Sequence, residues 1–161
     1  MKKVIVLLIA TLIVDCAYPL DLDIGFTLGR ANINNDKLSG GVNLSLLWGR
    51  RGNQFGIAGK KYFRKYNENY QVNEMIDLFF RFSNISFGGF YGGYTGDAEN
   101  FLNSFDFSSV SYQYGPFVEL FFPLSSRINI GIEGRHHIWE QGQDDSSYQS
   151  VWLNLKYLFS W

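Results

Sequence analysis

The stretch Leu20–Gly29, LDLDIGFTLG, decides how this chain is read. Leu20, Leu22, Ile24, Phe26 and Leu28 take every second position, and Asp21, Asp23, Gly25, Thr27 and Gly29 fill the positions between. Period two belongs to a β-strand with one apolar and one polar face, because successive side chains leave the backbone on opposite sides. A helix would space its apolar residues three and four apart.

The pattern recurs along the chain. Leu38, Val42, Leu44, Leu46 and Trp48 alternate with Ser39, Gly41, Asn43 and Ser45. Over Gln54–Tyr66 it is less regular: Phe55, Ile57 and Phe63 share a face with Lys61, whose ammonium is expected to snorkel to a polar boundary. Ile76, Leu78, Phe80 and Phe82 stand against Asp77 and Arg81, and Ile85, Phe87 and Tyr91 against Ser86, Gly88 and Gly92, with Ser83-Asn84 as a tight hairpin between them. Val110, Tyr112, Tyr114, Val118 and Leu120 oppose Ser109, Ser111, Gln113 and Glu119. Pro116 in that run has no N–H to give a neighbour, which predicts a bulge or local break. Ile128, Ile130, Ile132 and Ile138 oppose Asn129, Gly131, Glu133 and Arg135, and one more strand ends the chain. The fold expected is all-β: a single antiparallel up-and-down transmembrane β-barrel of about eight strands.

Connections alternate in length. Tight turns are expected at Gly49–Asn53, Ser83-Asn84 and Phe122–Arg127, and longer polar loops at Asn32–Lys37, Tyr66–Asn73, Thr95–Phe107 and Glu140–Gln149. Short turns at one end and long loops at the other are the habit of outer-membrane barrels, whose turns and termini lie in the periplasm.

Alternation alone does not say which face is outside, since a soluble ligand-binding barrel also alternates but turns its apolar face inward. Here the polar face is built mainly from Ser, Gly, Asn and Thr, residues that fit a narrow lumen, whereas a wet exterior is rich in Lys and Glu. Its charges are matched: Asp21, Asp23, Asp77, Glu119 and Glu133 can pair with Lys60, Arg64, Arg81, Arg135 and Lys156. A lumen crossed by ion pairs, not an open pore, is expected. Aromatic residues gather at both ends: Trp48, Phe82, Phe122, Phe159 and Trp161 at the turns, and Tyr62, Tyr91, Tyr94, Tyr112, Trp139 and Tyr148 toward the loops. Two interfacial girdles have this distribution.

With 161 residues the chain has room for one domain. Its formal charge of -1 leaves no basic surface for nucleic acid. Aromatic residues make up 18%, with 17 Gly and 3 Pro, which suits an all-β protein better than a linker or a collagen. Lys2 and Lys3 precede an apolar run from Val4 to Val14, the layout of a secretory signal peptide and too short for a membrane-spanning helix. Residues 1–17 are therefore expected to be an export signal read by the Sec pathway, and residues 18–161 the barrel. Cys16, the sole cysteine, follows Asp15, where a lipidation signal prefers a small neutral residue, so it is read as inert or lost with the signal.

In SVWLNLKYLFSW, Ser150–Trp161, the residues Val151, Leu153, Leu155, Tyr157, Phe159 and Trp161 share one face and the chain stops on an aromatic ring. This looks like the C-terminal signal of outer-membrane proteins, with Tyr157, Phe159 and Trp161 as the part the barrel-assembly machinery reads. The chain beyond the signal resembles the eight-stranded families typified by the OmpA membrane domain and OmpX. That resemblance is architectural and implies a location, the outer membrane of a diderm bacterium, more firmly than an activity.

One segment has a sharper likeness. Arg135-His136-His137-Ile138 is similar to the strand of the PagL family of lipid A deacylases, in which a nucleophilic Ser follows the His by two residues. Aligning on His137 puts Trp139 where the hydroxyl belongs, and Ser146 and Ser147 fall in the next loop, so the nucleophile is missing. His136 and His137 cannot easily share a metal ion, because adjacent strand residues face opposite ways. Asp144-Asp145 and Arg50-Arg51 read as solvated or lipid-facing charges. Phe101, Leu102, Phe105 and Phe107 make the third loop more apolar than solvation needs, which suits either folding over the barrel mouth or contact with a partner.

The sequence thus predicts a non-enzymatic surface protein, monomeric, with no catalytic residue, cofactor or metal. Its polar lumen is closed by Asp77, Arg81, Glu119, Glu133, Arg135 and Lys156, and its loops serve envelope stability or bind an external partner. Outer-membrane lipids, lipopolysaccharide and the assembly machinery are its expected contacts. A small pore is the alternative, with a PagL-like deacylase behind it.

Overall fold

A computed structural model describes residues 20–30, 38–50, 52–66, 69–95, 111–139 and 147–160. Eight strands follow one another: β1 (Leu20–Arg30), β2 (Leu38–Arg50), β3 (Asn53–Tyr66), β4 (Asn69–Phe82), β5 (Ile85–Thr95), β6 (Ser111–Pro123), β7 (Ile128–Trp139) and β8 (Tyr148–Ser160). Each pairs antiparallel with its neighbours in sequence, and β8 pairs with β1 to close a single up-and-down barrel. The expected export segment with Cys16, the aromatic loop residues Phe101–Phe107, Asp144-Asp145 and Trp161 lie outside the described residues.

Register fixes the shape of the ring. Directly paired residues lead from Leu20 through Trp48, Phe55, Phe80, Phe87, Val118, Gly134 and Val151 back to β1 at Arg30, ten residues above the start. With eight strands, such a shear tilts them strongly and leaves an interior just wide enough for side chains to fill. The whole row is outward-facing, and Gly134 is its one gap.

Three short turns and both ends of the described chain lie at one rim. Residues 51–52 join β2 to β3, with Gly49 and Gly52 at φ +117° and +96°, a region L-residues rarely adopt. Ser83-Asn84 joins β4 to β5 in a two-residue turn, with Ser83 at φ +53°. Residues 124–127 join β6 to β7, with the Ser125 hydroxyl accepting from the Ile128 N–H at 3.0 Å. The Ser83-Asn84 turn is stitched to both neighbours as well: the Ser83 N–H donates to the Gly52 carbonyl of the preceding turn, and the Phe121 N–H of β6 donates to the Asn84 carbonyl.

The opposite rim departs from expectation at one place. Tyr66–Asn73 is not a loop, because Asn69–Asn73 continue β4 and pair with Tyr62–Tyr66, leaving only residues 67–68 between the strands. The polar run NYQVN reads as a loop by composition, yet its backbone is held by the strand beside it. Pro116 produces a break and not a bulge. Pairing between β6 and β7 stops after Tyr114↔Ile138 and resumes at Phe117↔Arg135, three residues on along both strands, so no residue is inserted. On its other side Pro116 keeps its place opposite Gly89.

The distribution of side chains is inverted relative to a water-soluble domain. Phe26, Phe80 and Phe82 stand outward at 67%, 57% and 61% exposure, and Leu44, Leu78, Phe87, Phe122, Ile132 and Leu155 are likewise open. Asp23, Asp77 and Glu133 are inward at 0%. Burial simply follows the pleat: every second residue of β1 and β8 is buried and the next exposed.

Candidate functional site

The lumen is the most chemically distinctive part of the molecule. At its centre Lys60 from β3, Asp77 from β4, and Glu133 and Arg135 from β7 form a closed quartet. Asp77 takes Arg135 Nη1 at 2.9 Å and Nη2 at 2.5 Å, and Lys60 Nζ at 3.0 Å. Glu133 takes Arg135 Nε at 2.5 Å and is also bound by Lys60. Two cations and two carboxylates balance, and each is fully or almost fully buried. The Arg135 guanidinium lies 4.7 Å from the Phe117 ring centre and 4.9 Å from that of Phe90, so aromatic faces cover the charge where carboxylates do not.

Nearer the turns, a second set closes the bore. Lys156 donates to Glu119 at 2.7 Å, and the Asn154 amide donates to the other Glu119 oxygen at 2.6 Å. Arg81 donates to Asp23 at 2.7 Å and packs on Phe121, 4.5 Å from the ring centre. The six interior residues read from sequence, Asp77, Arg81, Glu119, Glu133, Arg135 and Lys156, are all brought inside and paired. Lys60, Asp21 and Asp23 join them, and the Arg64 side chain lies outside the described ones.

The interior is less polar than the sequence implied. Leu47, Ala58, Tyr62, Met75, Phe79, Phe90, Phe117 and Trp152 form a buried apolar cluster within the same bore. Tyr62 and Trp152 stack across the lumen at 4.3 Å. Tyr62 is therefore a lumen residue, not part of an outer girdle, since it shares parity with Lys60 and not with Phe63. Tyr148 also turns inward, stacking on His137 at 4.3 Å. Tyr91 and Tyr112 do stack at the outer surface, 5.6 Å apart, while Tyr94 and Trp139 lie outside the described side chains. Lys61 does not reach alone for a boundary: it bridges to its register partner Glu74 at 2.8 Å on the outward parity of β3 and β4.

His136 and His137 face opposite sides of the wall, His137 buried at 1% and His136 partly exposed beside Pro116. An outer dent of about 400 Å³ lies there between Pro116, Val118, Gly134 and Val151, and a Cβ added to Gly134 would touch nothing. Inside, His137 Nε2 lies 2.8 Å from Ser150 Oγ and Nδ1 lies 2.9 Å from Gln113 Oε1. Hydroxyl, imidazole and carbonyl in this order are the skeleton of a hydrolytic triad. The hydroxyl comes from β8 and not from the position after His137, so only cross-strand register reveals it. Its surroundings do not suit acyl transfer. Ser150 Oγ also accepts from Trp152 Nε1, at 2.9 Å, and is 1% exposed, and the His137 ring stacks on Tyr148 with Phe90 tilted against it. Hydroxyl and imidazole are both buried, and the cluster ties β6, β7 and β8 together.

Of the C-terminal residues, Tyr157 and Phe159 are outward on β8, their rings 4.7 Å apart, and the Tyr157 hydroxyl accepts from Arg127 at 3.3 Å. Among the described residues no group of three or more His, Cys, Asp or Glu is arranged to hold a metal. The chain matches no protein-family model, and no curated protein matches it.

Proposed function

We propose that this protein is an outer-membrane β-barrel whose sealed lumen makes it a rigid, non-conducting and non-enzymatic anchor for surface loops. The observation that carries the reading is the inversion of the barrel: a belt of exposed Phe, Leu, Ile and Val outside, and a neutralised set of charges inside. Water would penalise that exterior heavily, while lipid accepts it. The period-two pattern ending on Tyr157 and Phe159 suits recognition by the assembly machinery, and the resemblance to the OmpA membrane domain and OmpX points the same way. On this reading residues 1–17 are an export signal, the three short turns and both termini face the periplasm, and the protein is a monomer among lipopolysaccharide and phospholipid.

A pore is disfavoured by the paired charges and by the Tyr62–Trp152 stack across the bore. The test is to refold the mature chain in detergent and compare its migration in SDS with and without boiling. A compact form that unfolds only on heating supports the reading, and a soluble monomer that needs no detergent overturns it. Planar-bilayer recordings then separate a sealed barrel, which gives no unitary steps, from a channel.

A further inference from the structure

Many of the glycines in these strands have a reason in the packing. A Cβ on Gly29, Gly41 or Gly88 would run into the carbonyl oxygen of Val151, Lys61 or Leu78 on the neighbouring strand. Gly134 on β7 has no such reason. A Cβ there would meet nothing, its φ is outside the left-handed region, and the ladder beside it holds no inserted residue, so neither a close approach, a turn nor a bulge calls for glycine. Its partners in the outward row, Val118 on β6 and Val151 on β8, present their side chains at 48% and 44% exposure. A strand loses packing and conformational entropy at a glycine, and where the backbone does not demand one, close approach by a ligand is the remaining use.

The space at Gly134 is the outer dent, and its volume of about 400 Å³ is that of a small-molecule site. Its lining changes character along the strands. Val118 and Val151 flank Gly134, and two residues further toward the loops come Pro116, His136 and Gln149. His136 and Gln149 are register partners, so an imidazole and an amide stand side by side on the outer wall, each with N–H groups to donate. Arg135 is turned to the lumen, where Asp77 and Glu133 hold it, and its charge is not offered to the dent. A polar end of this kind suits an uncharged acceptor, such as a carbonyl oxygen, better than a phosphate. His136 is the ninth residue of β7 and Gln149 the second of β8, at the loop-side end of a span of about 9–11 residues, the length of a membrane-crossing strand. At that height the hydrocarbon of a bilayer gives way to its polar interface.

We infer that this dent holds one acyl chain of a membrane lipid in the loop-side leaflet, the chain lying on Gly134 between Val118 and Val151 and its ester carbonyl accepting from His136 and Gln149. The inference rests on the reading of the outer wall as lipid-facing, and it adds a lipid held in one place to a wall that otherwise meets the bilayer only as a solvent. A second copy of this chain would also cover apolar surface. The order of the lining, valines first and hydrogen-bond donors at the loop-side end, instead matches an amphiphile running along the strands.

The experiment is photolabelling of the barrel refolded in phosphatidylcholine vesicles that include a phosphatidylcholine with a diazirine beside the ester of one acyl chain, read out by peptide mass spectrometry. Label is expected on the segments carrying His136 and Val151 several-fold above that on Leu28 and Val42, exposed apolar residues in the loop-side half of β1 and β2. Gly134→Leu fills the dent and brings the label down to the level of that comparison, while the heat-modifiable migration of the folded barrel is kept. His136→Phe replaces the ring without its donors, lowers the label several-fold, and carries the test if the first variant does not fold. Label spread evenly over both regions overturns the site and leaves the membrane reading standing, whereas a folded barrel that takes no label anywhere on its outer wall overturns both. Enrichment that survives both substitutions overturns the assignment, as does a wild-type dimer that Gly134→Leu dissolves, which would give the dent to a second copy.

Discussion

Asp77 and Arg135 are joined by two hydrogen bonds, at 2.9 and 2.5 Å, across a lumen whose wall puts β5 and β6 between their strands. The pair is a strut, not a ladder contact, and Lys60 and Glu133 bind its two members to complete a neutral quartet.

Removing one member should therefore be worse than removing two. Asp77→Asn leaves two buried cations facing one carboxylate and is expected to destabilise by about 3–5 kcal/mol, the usual cost of orphaning a buried charge. Asp77→Asn combined with Arg135→Met leaves Lys60 with Glu133 and is expected to recover a large part of that loss. Urea unfolding followed by tryptophan fluorescence gives both values, and strict additivity of the two single changes would refute the quartet.

Leu78 on β4 is 53% exposed and flanked outward by Ile76 and Phe80. Leu78→Arg is expected to cost about 2–4 kcal/mol for folding into lipid vesicles, the range for a cation at mid-membrane. In water an exposed leucine exchanged for arginine costs little. An unchanged refolding equilibrium in vesicles would place this wall in solvent.

Gly41 lets the Tyr62 ring lie against β2, because a Cβ there would meet the Lys61 carbonyl at 2.2 Å and Tyr62 Cδ1 at 2.8 Å. Gly41→Ala is expected to part the Tyr62–Trp152 stack and to destabilise by about 1–3 kcal/mol through overpacking. Near-ultraviolet circular dichroism should lose the tyrosine–tryptophan coupling, and a retained signal would mean that the rings are not held by this contact.

Ser150 is hydrogen-bonded as a nucleophile would be but enclosed as a structural group is. A fluorophosphonate probe is expected to leave it unlabelled in the folded protein. Labelling that disappears in Ser150→Ala would reopen the hydrolase reading.

Much of the fold was legible because its wall has two faces and the chain alternates accordingly. Leu20–Gly29 carries that signal without interruption, Ser150–Ser160 carries it with Trp152 and Leu158 as its exceptions, and the charged interior followed from the same parity. Aromatic triplets hid the rest. In Leu78-Phe79-Phe80 and Leu120-Phe121-Phe122 the middle ring is inward and the outer two are exposed, yet composition alone marks all three as one apolar run. Phe117 and Phe90, on which Arg135 packs, were likewise invisible as lumen residues, as was Trp152, which stacks on Tyr62. Asn69–Asn73 were misread for the opposite reason, since their polarity masked backbone pairing that depends on β3. The Ser150–His137–Gln113 row and the outer dent at Gly134 both arise across strands, where spacing along the chain carries no information.

The quartet and the Arg81–Asp23 pair also bear on the order of events during folding. Seven of the eight ladders join consecutive strands, and only β1 with β8 joins residues from the two ends of the barrel. Local hairpins can form early, but the seam must wait for the last strand, at the entropic cost of closing the longest loop in the chain. Arg81 of β4 finds Asp23 of β1 only when the sheet has curled. An uncurled sheet leaves these charges wet, and a sheet closed one register out leaves every inward residue facing the wrong side. Charge neutralisation thus acts as a checkpoint on circularity, rewarding the finished ring and almost nothing short of it.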